Sequence, residues 1–235
     1  MGTPPRPFVL LHYALSADGK IATADRGWAA LGSRRDRDHV DALRAAADAV
    51  LIGAGTVRAE DPPIRIASAE RRAARRAAGQ PEHPLRIVLS ASLDLPEGGR
   101  FLATSAARPL VLTTEDAPAA RRAALASGAE ILAAGRGRVD LTLALAQLSG
   151  RGVGRLVVEG GGEVNAAFLE AGLVDEVHLT LCPLLLGGRL APTPAGGTGF
   201  AGPDAPRLRL LSSETIGDEI VCRYAVRRDG PASPP

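Results

Sequence analysis

Short apolar runs alternate with amphipathic stretches along the chain. Residues 8–15, 49–52, 86–89, 110–113, 131–133, 156–159 and 176–181 read as strands, mostly continuous in their apolar character. Between them lie helical patterns. Ser33 suits an N-cap for a helix reaching about Ala47, with Val40, Leu43 and Ala47 on one face. Asp116 with Pro118 opens a second helix that Gly128 can close. Asp140 caps a third ending near Gly150, and a fourth covers residues 163–171, where Val164, Phe168 and Leu169 form its packing stripe and Gly172 stops it. Strands separated by helices predict βαβ units and a mainly parallel sheet. Residues 208–212 and 219–227 follow one another without a helix, which predicts an antiparallel finish. The expected class is α/β with a mixed edge.

Composition changes this picture little. With 235 residues, 46% of them hydrophobic, the chain is long enough for a real core and too apolar for disorder. No repeat or long linker divides it, so the expectation is one compact domain over 1–235, with its core at about 6–227 and frayed ends. A net charge of +2 argues against a nucleic-acid partner, because no basic excess is present to neutralise phosphates. Lys20 is the only lysine among 28 cations, a bias towards arginine that reads mainly as coding composition. Cys182 and Cys222 are too few for a disulfide scaffold or a thiolate metal site, so a reducing cytoplasmic setting is expected, with no metal. No apolar run is long enough for a signal peptide or a membrane span.

Candidate chemistry gathers where glycines follow strands. One such turn is Gly53-Ala54-Gly55-Thr56, and the other is Gly160-Gly161-Gly162-Glu163. In an open α/β sheet, ligands collect beyond the carboxyl ends of the strands. Glycines there let the backbone approach a phosphate, and the next helix offers N–H groups and a positive dipole end. Neither turn is the G-x-G-x-x-G fingerprint, since Arg58 stands at the third glycine of the first and the glycines of the second are consecutive. Tight β-to-α connections are therefore the plain alternative. Glu159 closes an apolar strand, where a carboxylate is costly unless it is paired, functional or satisfied by backbone N–H groups. Asp61, after Glu60 and before Pro62, either donates a proton or merely precedes a turn. The loop at residues 16–22 contains ordinary Asp-Gly turn chemistry. His12, His39, His83 and His178 are isolated in sequence, and no zinc-deaminase, G-x-S-x-G or P-loop pattern occurs. The basic run at 70–76 reads as a solvated face, and Trp28 as either a pocket cap or a core cover.

Taken in order, Ser16-Ala17-Asp18-Gly19-Lys20-Ile21-Ala22, Leu43-Arg44-Ala45, Ile52-Gly53-Ala54-Gly55-Thr56-Val57, Glu60-Asp61-Pro62, Val158-Glu159-Gly160-Gly161-Gly162, Gly172-Leu173-Val174-Asp175-Glu176-Val177 and Gly187-Gly188 resemble the pyrimidine reductases of riboflavin biosynthesis. The likeness spans about residues 6–226. It implies a dihydrofolate-reductase-like three-layer sandwich, a mostly parallel sheet with an antiparallel C-terminal strand, NADPH as cofactor and a homodimer. It implies reduction of the ribosylamino side chain of a pyrimidine 5′-phosphate to a ribitylamino chain. By the same resemblance, Leu15, Thr56 and Glu60 line the NADPH site, and residues 161–167, including Gly161, Gly162, Glu163, Val164 and Asn165, hold its phosphates. Arg44 binds the substrate phosphate, Ile64 touches substrate, and Glu159 hydrogen-bonds the pyrimidine or ribose. Asp61 and Glu159 are the candidate proton donors, with water as a third.

Departures from the family pattern concentrate on the substrate side. The family's Leu-Thr-x-Arg run appears as Ile64-Arg65-Ile66-Ala67, so its arginine is missing. Period-2 geometry puts Arg65 on the same face as position 67, which lets it substitute. Ser90-Ala91 replaces Asp-Ser, the loop tryptophan falls early as Trp28 with Ala30 in its place, and His12 stands where the bifunctional enzymes carry lysine. A reductase of the same fold acting on another pterin- or pyrimidine-like substrate is the alternative, and a nucleotide-binding protein without catalysis is a third reading.

Overall fold

The computed structural model describes residues 5–27, 31–96, 98–103 and 107–227. Trp28, Ala30 and the two chain ends fall outside these residues. The strands are β1 (Phe8–Ser16), β2 (Ala49–Gly53), β3 (Leu85–Leu89), β4 (Leu110–Thr113), β5 (Glu130–Ala133), β6 (Arg155–Val158), β7 (Glu176–Cys182), β8 (Leu208–Ile216) and β9 (Glu219–Val226). The helices are α1 (Arg34–Ala45), α2 (Ala54–Glu60), α3 (Ala69–Ala77), α4 (Arg100–Ala103), α5 (Ala119–Leu125), α6 (Leu141–Ser149) and α7 (Gly162–Glu170).

All nine strands form one sheet in the order β5-β4-β3-β2-β6-β1-β7-β9-β8. The pairs from β5 to β7 are parallel, while β9 pairs antiparallel with both β7 and β8. Strand alternation sends Val9, Leu11, Leu51 and Val158 to one face, against α6 and α7. It sends Leu10, Val50, Ile52 and Val157 to the other face, with Ile64, Phe101 and Leu125. This is a sheet between two layers. The chain leaves β1 for β2 and later inserts β6 between them, so a crevice opens beyond the carboxyl ends of β2, β6 and β1.

Local signals explain several boundaries. The Ser33 side chain accepts from Arg35 N and Asp36 N, and Glu219 holds both Ser33 N and Ser33 Oγ at 2.6 Å. Asp140 Oδ1 accepts from Leu143 N at 3.0 Å to start α6. Val164 and Phe168 pack as expected. Other expectations are corrected. In α1 the fully buried positions are Asp36 and Asp41, while Val40 and Leu43 are half-buried. Asp116 does not cap α5, whose N-cap is Pro118; its carboxylate accepts from Gly137 N instead. Residues 54–60 form a helix rather than only a turn. The basic run at 70–76 is solvated only in part: Glu70, Ala73, Ala74 and Arg76 are exposed, but Arg71 bridges Asp38 and Asp41, and Arg75 is buried, donating to the carbonyls of Ala45, Ala47 and Pro81.

Candidate active site

One cleft of about 1210 Å³ occupies the crevice. That exceeds the ~300–1,000 Å³ typical of a site for one small molecule, and suits two ligands side by side. Its lining includes Arg44, Gly53, Gly55, Thr56, Glu60, Ile64, Arg65, Glu159, Gly160, Gly161, Gly162, Glu163, Val164 and Asn165, all expected from the sequence. Leu15 and Asp61 are not among the lining residues.

The wall at the ends of β2 and β6 is built from backbone. Gly53 N donates to Gly160 O at 2.7 Å, and a Cβ at Gly53 would stand 2.7 Å from Val164 Cγ2. Gly160 has φ +88°, a left-handed conformation that favours glycine. Gly162 begins α7 against Thr193 O, where no Cβ fits. The α7 N-terminus, with Gly161 as N-cap, has no side-chain cap, and its dipole and N–H groups favour an anion. Glu163 does not oppose that anion directly, because its carboxylate is drawn to Gly197 N at 3.2 Å. Asn165 Nδ2 donates to Pro194 O at 2.8 Å, fastening the 193–197 segment beside the helix. Glycines where a side chain would clash and an uncapped helix start fit a dinucleotide phosphate chain. Glu60 also lines this region, and burial raises its carboxyl pKa.

The opposite wall is built from side chains. Arg44 grips Glu159 in a two-pronged ion pair, Nε to Oε1 at 2.7 Å and Nη2 to Oε2 at 2.6 Å. Both are largely buried, at 19% and 12% side-chain exposure, so the charge of each offsets the other's desolvation. Glu159 is thus satisfied by a guanidinium, not by backbone N–H groups. Arg44 Nη1 also donates to the Arg65 carbonyl at 3.2 Å. Ile64 and Ile66 are buried while Arg65 and Ala67 are exposed and line the cleft, so the period-2 expectation for Arg65 holds. Asp41 fixes this segment by accepting from Ala67 N and from Ser68 N. The Arg65 guanidinium has no partner among the described residues.

Two expectations are revised here. Asp61, at φ +44°, spends its carboxylate on Arg100 N at 2.6 Å and Phe101 N at 2.9 Å, a structural tie outside the cleft lining. Three of the four histidines come together in space. His12, on the cleft wall, has its ring centroid 5.8 Å from that of His39, which lies 5.8 Å from that of His178. Burial lowers the His12 pKa from 6.5 to about 4, against the pull of Glu159, so its ring is neutral at pH 7. Burial also lowers the pKa values of His39 and His178. Only strand register and the position of α1 bring these rings together, which no linear motif signals. The Asp-Gly loop likewise does more than turn: Asp18 accepts from Leu186 N at 3.0 Å and Gly187 N at 2.7 Å. That carboxylate also takes the Ser16 hydroxyl's hydrogen bond, which with these N–H groups holds its pKa at about 2.

A family model described as the RibD C-terminal domain matches residues 7–222. The 2,5-diamino-6-ribosylamino-4(3H)-pyrimidinone 5′-phosphate reductase of Methanothermobacter thermautotrophicus is 38% identical over 224 residues, which cover 94% of this chain and 99% of that protein. Among solved structures, a pyrimidine reductase-like protein from Corynebacterium diphtheriae aligns with a TM-score of 0.78 at 26% identity, over 95% of this chain and 93% of that one. Dihydrofolate reductase from Enterococcus faecalis shares the fold at a TM-score of 0.51 and 13% identity, over 94% and 97% of the two chains.

Proposed function

The chain belongs to the RibD C-terminal domain family, and from that premise we propose that it is a single-domain, NADPH-dependent reductase of riboflavin biosynthesis. It converts the ribosylamino side chain of a pyrimidine 5′-phosphate to ribitylamino; the relative's name gives a reductase of such a ribosylamino-pyrimidinone 5′-phosphate. The observation that carries this reading is one cleft joining a glycine cradle to the Arg44–Glu159 pair.

NADPH, when bound, would supply the hydride that the sugar's C1′ takes up, most simply on the ring-opened imine. This chain's residues position the reactants. The α7 N-terminus holds the cofactor's phosphates. Glu159, fixed by Arg44, accepts from the pyrimidine or ribose. Arg65 takes the larger share of the substrate phosphate, because the Arg44 fork is already committed to Glu159.

A homodimer is part of the proposal. Edge strand β8 is exposed along nearly its whole length, and Leu208, Leu210 and Ile220 stand 41%, 50% and 39% exposed on one side of the hairpin. An isologous contact with a second copy covers such a face. The free thiols of Cys182 and Cys222 suit work in the cytoplasm. Steady-state NADPH oxidation with the ribosylaminopyrimidine tests the function. Turnover that depends on the 5′-phosphate is expected, and equal turnover without it favours a different pyrimidine- or pterin-like substrate.

A further inference from the structure

Three histidines cluster between α1 and the β1–β7–β9 part of the sheet. His12 and His178 are paired across β1 and β7, and His39 reaches down from α1 to stack at 21° on His178. His12 and His178 are 5% and 3% exposed. His12 Nε2, His39 Nε2 and His178 Nδ1 are all buried and have no hydrogen-bond partner among the described residues. Buried polar atoms without partners are rare, and three within one cluster call for a function. The cluster touches two distinct surroundings. In one, His12 lines the cleft beside the Arg44–Glu159 pair. In the other, His178 Nε2 lies 3.0 Å from Glu176 Oε2 and 3.2 Å from Arg223 Nε, and Arg223 is 45% exposed. That nitrogen therefore meets an acceptor when it carries a proton and a donor when it does not. Both tautomers of the ring are supported.

The reaction needs a proton as well as a hydride. The imine carbon takes H⁻ and the imine nitrogen takes H⁺, so R–N=CH–R′ becomes R–NH–CH2–R′ while NADPH becomes NADP⁺. The carboxylates expected to donate are otherwise engaged: Asp61 accepts from Arg100 N and Phe101 N, and both Glu159 oxygens accept from the Arg44 fork. We propose that His12, His39 and His178 form a proton relay from the Glu176–Arg223 surface to the substrate end of the cleft. A neutral imidazole carries one donor and one acceptor nitrogen. Each ring can accept on one nitrogen and release from the other, and a modest turn at this spacing brings neighbouring nitrogens towards each other. His12 hands its proton to the imine nitrogen, each ring outward is refilled in turn, and His178 draws the replacement from solvent at Glu176. His12 is the catalytic residue of the cluster, and His39 and His178 are positioning residues, since neither lines the cleft.

This inference rests on the proposed reductase reaction. The test compares the wild type with His39→Gln and His178→Gln, using NADPH, its C4-deuterated form, and solvent D2O. The relay predicts that kcat falls about 10²-fold in each variant while KM and NADPH affinity stay within twofold. It also predicts that the solvent isotope effect rises and the C4-deuterium effect falls towards unity, as proton delivery becomes limiting. A kcat within twofold of wild type overturns the relay, as does a loss with both isotope effects unchanged, which marks a merely structural role. If His39→Gln does not fold, His178→Gln, nearer the surface, decides alone. A wild type with no pyrimidine turnover overturns the reductase reading itself and the relay with it, whereas normal wild-type turnover with unaffected variants overturns only the relay.

Discussion

The wall formed by the ends of β2 and β6 and the start of α7 presents mainly backbone, whereas the wall formed by β1, α1 and residues 62–67 presents charged and polar side chains. In the proposed reading the first recognises a feature common to all dinucleotides, a phosphate chain, for which N–H groups and the absence of Cβ atoms suffice. In the proposed reading the second must distinguish one small molecule, with a buried ion pair, Arg65, whose guanidinium has no partner among the described residues, and the neutral ring of His12. Their failure modes differ accordingly. Damage to the backbone wall removes cofactor binding outright, and damage to the side-chain wall also costs stability, because its charges are buried together.

The largest effect is expected from Gly161→Asp. A carboxylate at the α7 N-cap brings bulk towards Thr56 and like charge to the phosphate site, and NADPH affinity measured by calorimetry should fall at least ~100-fold. Thermal stability should change little, which keeps this wall's effect confined to the ligand.

Next comes the ion pair. Arg44→Ala leaves Glu159 buried without its partner and should destabilise the fold by about 3 kcal/mol in urea unfolding, while KM for substrate rises. Arg44→Leu with Glu159→Leu should recover most of that stability but no turnover. Recovery of both would make the pair purely structural.

Acid probes the same wall. The His12 pKa is lowered by folding, so its neutral form costs nothing above pH 6.5, where the unfolded ring is neutral too. As pH falls from 6.5 towards 4, the unfolded ring protonates while the folded ring resists, and stability should drop by about 3 kcal/mol from His12 alone. His12→Asn should flatten that part of the pH–stability curve.

The smallest effect is expected from Arg65→Ala, whose exposed guanidinium is screened by solvent. KM for the phosphorylated substrate should rise about tenfold, less at high salt, with NADPH affinity unchanged. A rise in KM for the substrate lacking its phosphate would place the phosphate elsewhere.

The two walls also differ in how readable they were. Gly53, Gly55 and Gly160 to Gly162 follow apolar strands directly, and such local patterns report local geometry. Ser33 and Asp140 marked their helix starts for the same reason. The resemblance placed Arg44 and Glu159 correctly in the cleft but gave no hint that they grip each other across 115 positions of sequence. Arg75 read as part of a solvated face, because the carbonyls of Ala45 and Ala47 that satisfy it come from a distant segment. The histidine cluster is the extreme case: its members sit on β1, α1 and β7, and only the assembled sheet makes them neighbours.

The central claim is that both walls serve one transfer within one cleft. The direct test is to incubate the protein with C4-deuterated NADPH and the ribosylaminopyrimidine 5′-phosphate, and to locate the label in the product by NMR and mass spectrometry. The account predicts one deuterium, at C1′ of a ribitylamino chain. Label at any other carbon, or cofactor binding with no labelled product, would contradict it.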